Sequence, residues 1–585
     1  MKYKRLILIL IAAFAAVQIF PLTAAKEDTY DILNAMVDEL LSPWDIPDAP
    51  GCAVVVIKDG KVIYRKGFGS ANLEYGTPIT PQTVFDVASL TKQFTGMAIA
   101  MLEEQGKISL DDDIRKYIPE VPYFGKTITL RYLLHHTSGL RDWPQTLALA
   151  GWRFDDVISF EQILKMVSYQ QKLNFEPGTK YLYSNTGYNL LAETVKRVTG
   201  KSFREWTREN IFSPLGMTGT HVHDDHREIV KNRAYSYIYD GKGHFLKADG
   251  NLTAPGSSSL YSTAEDLGKW ILNLETGKVG GKAVIERMHT RGVLDNGDEL
   301  HYGFGLNIGT YKDLKRVRHG GSWRGFRSTL HHYPGQALGI VVLCNLASDN
   351  PERMAERIAD IYLENNREKS PEKNKVIPIE RAERKVTDAK PGPTLNSSGP
   401  VNTGLDEQYE GQYRLINGVV ITIRQENDHL WGRIGEQPEF RLFPESPDRF
   451  SLKVTDARIT FKRNKQGTVF QLFLHQGGKI VPAEKFRNVR LTPWEMQQFT
   501  GSYYCDELDT RYVIIVRGGK LVATHRRHSD IVLKPEEGDR FSSNEAFFNF
   551  LDFSRNKQDE VTGFSINGSR VQNIVFKKIG AVDTR

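Results

Sequence analysis

The sequence predicts an α/β domain, an antiparallel five-stranded sheet flanked by helices, followed by two small antiparallel β-barrels. Three observations predict it. Residues 26–365 alternate strand-like and helix-like segments. Residues 366–405 are charged, then rich in Pro, Gly and Ser, and read as a linker with little to bury. Beyond them the chain repeats itself.

The five strands fall at the two ends of the first segment. Residues 52–57 and 61–68 are β-branched, apolar runs joined through Asp59-Gly60, a pair that tolerates positive φ and suits a hairpin. Residues 316–321, 326–333 and 337–344 follow one another closely, the last two through Pro334-Gly335. Two strands from one end and three from the other can close one sheet, with the helical middle packed on it. The barrels are expected over 406–490 and 491–585. Tyr409-Glu410-Gly411-Gln412-Tyr413 matches Phe499-Thr500-Gly501-Ser502-Tyr503, Asp448-Arg449-Phe450 matches Asp539-Arg540-Phe541, and the block from Phe461 to Gln466 matches that from Phe553 to Gln558. Both copies are short alternating strands between Gly, Asn and Asp turns, as in small closed barrels. No catalytic constellation is common to the two.

Lys2, Lys4 and Arg5, the apolar run 6–17 and the small residues Thr23-Ala24-Ala25 predict a signal peptide over 1–25, hence export to the periplasm or beyond. The apolar run falls short of the ~20 residues a spanning helix needs. An uncleaved anchor is the rival, and no later segment is apolar enough to span. The net charge is +6, and three of those charges sit in the leader, so nothing points to nucleic acid. Cys52, Cys344 and Cys505 are too few and scattered for a disulfide framework; buried thiols are expected, with a Cys52–Cys344 bridge conceivable if their strands are neighbours.

The chemistry centres on Ser89-Leu90-Thr91-Lys92. An extended apolar approach, residues 84–88, precedes it. Phe94, Met97, Ala98, Met101 and Leu102 follow at the spacing of one helix face. Ser89 thus sits at a helix N-terminus with Lys92 one turn on, on the same side. The helix dipole favours charge on the serine oxygen, and the lysine ammonium or amine can take or share its proton. Two further Ser-x-x-Lys matches, at Ser370 and Ser554, lack the helix. Tyr183-Ser184-Asn185 lies in a turn before another helix. A cation beside Tyr183 would favour its phenolate and make it a general base, while Asn185 could hold Lys92 or a substrate carbonyl. His319-Gly320-Gly321 lies on a predicted strand whose glycines leave room for a substrate backbone. The N–H of Ser322 could complete an oxyanion hole with that of Ser89.

Ser-x-x-Lys, Tyr-x-Asn and His-x-Gly, in that order, resemble the serine β-lactamase and penicillin-binding-protein superfamily, in particular the branch with class C β-lactamases, D-aminopeptidases, D-Ala-D-Ala carboxypeptidases and related esterases. Leu133-Leu134-His135-His136-Thr137-Ser138-Gly139-Leu140, Pro214-Leu215-Gly216-Met217 and Tyr302-Gly303-Phe304-Gly305-Leu306 are similar too. The resemblance implies that Ser89 is acylated, that Lys92 and Tyr183 handle its proton, and that Asn185, His319, Gly320, Gly321 and Ser322 line the substrate site. It implies no cofactor and no metal. His319 stands where class C β-lactamases carry lysine, a fixed cation that helps bind a substrate carboxylate; the departure argues against efficient β-lactam turnover and C-terminal carboxylate recognition. D-aminopeptidases carry His-Gly-Gly and two trailing barrels, as here.

The function expected is therefore serine hydrolysis through an acyl-enzyme. Substrates would be small peptides or amides, above all D-residue peptides such as peptidoglycan fragments. A carboxylesterase or weak β-lactamase is the alternative, and a non-catalytic penicillin-binding envelope protein stands further off. His221-Val222-His223-Asp224-Asp225-His226 imitates a zinc-hydrolase motif. Its approach is turn-rich rather than a strand, so a solvated loop is expected. His135 and His136 are expected to support the fold.

Overall fold

The computed structural model describes residues 21–364 and 407–581, apart from 416–417, 427–428, 436, 453–456 and 477–478. Most of the expected leader and the whole of the expected linker lie outside the described residues.

Six strands form one antiparallel sheet: β1 (Cys52–Lys58), β2 (Lys61–Phe68), β3 (Asn307–Tyr311), β4 (Leu314–Trp323), β5 (Phe326–Tyr333) and β6 (Leu338–Cys344), in the order β3-β4-β5-β6-β1-β2. The five expected strands are all present. The sixth, β3, was hidden because Asn-Ile-Gly-Thr-Tyr buries only Ile308 and interrupts itself with glycine. The two ends of the segment meet where β1 pairs with β6, in the register Cys52↔Cys344 and Val56↔Ile340. Although these cysteines face each other across neighbouring strands, both are free, buried thiols, as is Cys505.

Five helices frame the sheet: α1 (Pro21–Leu41), α2 (Thr91–Glu104), α3 (Asn185–Thr199), α4 (Ala264–Thr276) and α5 (Pro351–Glu364). Both faces of β1 are covered, which is why it reads as an unbroken apolar run. Ala53, Val55 and Ile57 join the core that contains α2, α3 and α4. Cys52, Val54 and Val56 pack with Val37 and Leu40 of α1 and Met354 and Ile358 of α5. Helix α2 runs through the core, buried almost all round. Gly96 lets it touch the backbone of Phe304, which a side chain there would strike. No helix among the described residues is long and apolar enough to cross a membrane.

Each repeat closes into an eight-stranded antiparallel barrel, from Gly411–Leu415 to Lys479–Phe486 and from Gly501–Cys505 to Ile574–Gly580. The matched blocks are the pins of these barrels. Tyr413 and Tyr503 are buried and donate to Tyr409 O (2.8 Å) and Phe499 O (2.7 Å). Asp448 and Asp539 turn with positive φ (62° and 61°) and hold Arg463 and Arg555 from the third matched block.

Candidate active site

Ser89 is delivered by a strained turn. The short strand Phe85–Asp86 pairs with Leu260–Ser262, and Asp86 Oδ1 accepts the Ala88 N–H at 2.8 Å. Ala88 then adopts φ 48°, a conformation that costs a residue with a Cβ on the order of 1–3 kcal/mol. The turn Ala88–Leu90 leads straight into α2 and leaves Ser89 half-exposed at its mouth. Strand β4 passes alongside. A side chain at Gly321 would collide with Val87 O and Ser328 Oγ and lie 3.2 Å from Ser89 N. The expected room for a substrate at that glycine is thus taken by the protein's own backbone. Gly320 has only ordinary contact, with Ser328 O at 3.6 Å, and Ser322, next on the strand, is exposed.

Lys92 is fully buried. Its Nζ donates to Ser89 Oγ at 3.1 Å, Asn185 Oδ1 at 2.8 Å and Ser257 O at 2.7 Å. Burial pushes its pKa well below the ordinary lysine value; Asp142 opposes the shift and the Arg570 charge adds to it. The Tyr183 ring lies 4.8 Å from the same nitrogen. Its phenol moves the other way: burial raises its pKa, and neither a hydrogen bond with Ser89 nor Arg570 reverses that. The expected phenolate is therefore corrected. Desolvation of the anion outweighs the neighbouring cation, so the site pairs an amine-prone lysine with a phenol that keeps its proton.

Asn185 begins α3, with Ser184 as its N-cap. Its backbone N–H and its Nδ2 both donate to Asp142, at 2.7 and 3.2 Å, which aims Oδ1 at Lys92. His319 has both ring nitrogens engaged. Its Nδ1 lies 2.7 Å from Gly320 O, which can only accept, and its Nε2 lies 2.9 Å from the Tyr302 hydroxyl, which can donate to a neutral ring. Burial, helped by Lys92, pushes its pKa down to about 3. His136 accepts from Ser184 N at 3.1 Å and stacks on Tyr183 with ring centroids 4.2 Å apart, while His135 bonds Tyr302 O.

The structure thus brings Ser89, Lys92, Tyr183, Asn185 and His319 around one point, with Gly321 against the nucleophile's turn. Sequence reasoning missed Asp142, Tyr302 and Arg570. Asp142 stands two residues beyond the quoted block ending at Leu140, and Tyr302 opens another quoted block, so both had a positional signal. Arg570 had none: it comes from the second barrel, where its Nη1 lies 3.0 Å from Asp142 Oδ2 and its guanidinium sits 4.9 Å from the Tyr183 ring centroid. Beside it, buried Arg141 pairs with Glu507 of the same barrel.

The zinc-like motif lies apart from these residues. His221–Val222 is a short strand after all, pairing with Leu260–Ser262, and His223 is buried rather than solvated; Asp224 and His226 are exposed. Ligand atoms of His221, His223 and Glu228 lie within 4.8 Å of one another, but Arg204 already clamps both Glu228 oxygens at 2.7 Å.

A family model described as Beta-lactamase matches residues 37–363, and a domain of unknown function, DUF3471, matches residues 403–493. Penicillin-binding protein 4* of Bacillus subtilis (strain 168) is 28% identical over 423 residues, covering 70% of this chain and 89% of that protein. A D-aminopeptidase of Gluconobacter oxydans (strain 621H) is 30% identical over 297 residues, 51% of this chain and 56% of its own length. The octameric penicillin-binding protein homologue from Pyrococcus abyssi superposes with a TM-score of 0.52 at 23% identity, over 86% of this chain and 99% of that one, which establishes likeness of fold.

Proposed function

We infer the function from one premise: the chain belongs to the Beta-lactamase family, whose model spans more than half of it. On that premise Ser89 is the nucleophile of an acyl-transfer hydrolase. The single observation that carries this is the Ser89 Oγ–Lys92 Nζ contact of 3.1 Å, with the lysine buried and its amine favoured. The neutral amine takes the Ser89 proton as Oγ attacks the substrate carbonyl carbon. The carbonyl electrons move onto oxygen, held by the N–H groups of Ser89 and Ser322. Collapse breaks the C–N bond, and the leaving amine takes a proton handed on from Lys92 through the Tyr183 phenol, which is re-protonated in turn. Water, deprotonated by the same amine, then cleaves the Ser89 ester and releases the acid. Asn185, fixed by Asp142, orients Lys92, and His319 with Gly320 lines the substrate side.

The preferred acyl donor is a small peptide or amide containing a D-residue. The relatives named as a D-aminopeptidase and a penicillin-binding protein support this class, as does the pairing of His319-Gly320-Gly321 with two trailing barrels. The proposal keeps an exported mature chain of three domains, 26–365, 406–490 and 491–585. The test is labelling by a fluorophosphonate or a fluorescent penicillin together with hydrolysis of D-aminoacyl anilides, both lost in Ser89→Ala. Labelling that survives the substitution removes the proposal. Cleavage of p-nitrophenyl esters without any amide leaves the carboxylesterase alternative in its place.

A further inference from the structure

The guanidinium that lies against Asp142 and Tyr183 in the finished site does not come from the α/β domain. Resting on the acyl-transfer reading above, we propose that Arg570, supplied by the second barrel, is a specificity-determining residue that selects substrates bearing a carboxylate.

Residues 567–573 join the barrel's last two strands and are pinned from both sides. Within the loop, Asn573 N donates to Asn567 Oδ1 at 3.0 Å and Gly568 N to Val571 O at 2.7 Å. From the α/β domain, Gln145 Oε1 accepts the Arg570 N–H at 3.1 Å, and Asn174 bonds both Arg570 O (3.0 Å) and Gln572 N (2.8 Å). Arg141 donates to Gln572 O and Asn573 O, each at 3.1 Å. The backbone of Arg570 is therefore fixed before any substrate arrives, which reduces the ordering cost of binding.

The side chain is not used up by these contacts. One nitrogen, Nη1, donates to Asp142. Its Nε and Nη2 make no hydrogen bond to the described residues, and the side chain is 43% exposed. That Nε–Nη2 edge is the one with which Arg131 grips Asp111 and Arg153 grips Asp155 in this same chain. A planar fork of two parallel donors matches a carboxylate in geometry as well as charge. The other basic groups of the site do not compete. His319 has both ring nitrogens engaged and burial disfavours its charged form, and Lys92 is enclosed with three acceptors. Arg570 thus supplies the cation that His319 withholds, and supplies it from the Asp142–Asn185 side.

The experiment uses the full chain and two isosteric substrate pairs. One is D-glutamyl against D-glutaminyl p-nitroanilide; the other is a peptide ending in D-Ala-D-Ala against its C-terminal amide. Fluorophosphonate labelling of Ser89 is measured in parallel. The wild type should favour the carboxylate member of one pair by about tenfold or more in kcat/KM, the discrimination a charged hydrogen bond provides. Arg570→Gln should erase the preference and Arg570→Lys restore part of it. If Arg570→Gln strands Asp142 and fails to fold, the double variant Asp142→Asn with Arg570→Gln removes the stranded charge and should show the same loss. A wild type that labels at Ser89 but turns over both members of each pair equally overturns this inference alone. So does a preference that persists in Arg570→Gln, which would leave Arg570 as a counter-ion to Asp142. A wild type with neither labelling nor turnover removes the hydrolase reading, and the inference falls with it.

Discussion

The two barrels share sequence blocks, strand number and pins, yet they stand in different relations to Ser89. In the first, two residues of sequence separate Val469–Gln476 from Lys479–Phe486; in the second, seven residues, 567–573, separate Val561–Ile566 from Ile574–Gly580. That extra length lets Arg570 reach Asp142 and Tyr183. The first barrel's Arg414 instead pairs with Glu536 of the second, at 2.6 Å. The repeated residues are those that close a barrel, and the contact with Asp142 and Tyr183 is made where the repetition breaks. Loops escape the packing constraints that hold strands to a pattern.

The sharpest contrast is with the residues the α/β domain supplies by itself. Lys92→Met should lower kcat/KM by about 10³-fold or more, since it removes the proposed base; ester hydrolysis by the purified, folded variant measures it. A loss under tenfold would mean that the amine takes no proton.

Next come the ion pairs that tie the barrels down. Glu507→Gln leaves Arg141 buried without its partner and should cost about 3–5 kcal/mol in thermal unfolding, while slowing Ser89 labelling because the 567–573 loop loses its brace. Glu536→Gln strands Arg414 between the barrels and should cost a comparable amount without slowing labelling. Equal slowing in both variants would erase the distinction between the barrels.

The pH profile sharpens it further. In the mechanism proposed above the active form carries Lys92 as an amine, so kcat/KM should rise as its proton leaves, and burial should place that rise below the range of an ordinary lysine. Arg570 repels the ammonium and Asp142 attracts it. Arg570→Gln should therefore move the acid limb to higher pH, Asp142→Asn to lower pH, and Arg463→Ala in the first barrel should leave it in place. Rate profiles between pH 5 and 10 read the signs.

The smallest effects should be alike in the two repeats. Arg463→Ala and Arg555→Ala each remove one partly exposed pin and should cost about 1–2 kcal/mol in denaturant unfolding. A large inequality would mean that one of the pins also bears on the interface.

Much was legible in the chain itself. The apolar runs gave the two ends of the sheet, the helix spacing after Ser89 placed Lys92 one turn on, and the order of three short motifs gave the family. The repeat announced two barrels because closing a small barrel needs the same buried tyrosine and the same arginine on an aspartate turn each time. What tertiary structure decided was protonation and partnership. Sequence can say that Lys92 and Tyr183 are near each other, but which of them gives up its proton depends on how much water is excluded, and here desolvation reversed the expectation for the tyrosine. Nor can local pattern bring Arg570 to Asp142 across more than four hundred residues. That contact exists only because a whole barrel docks on the α/β domain.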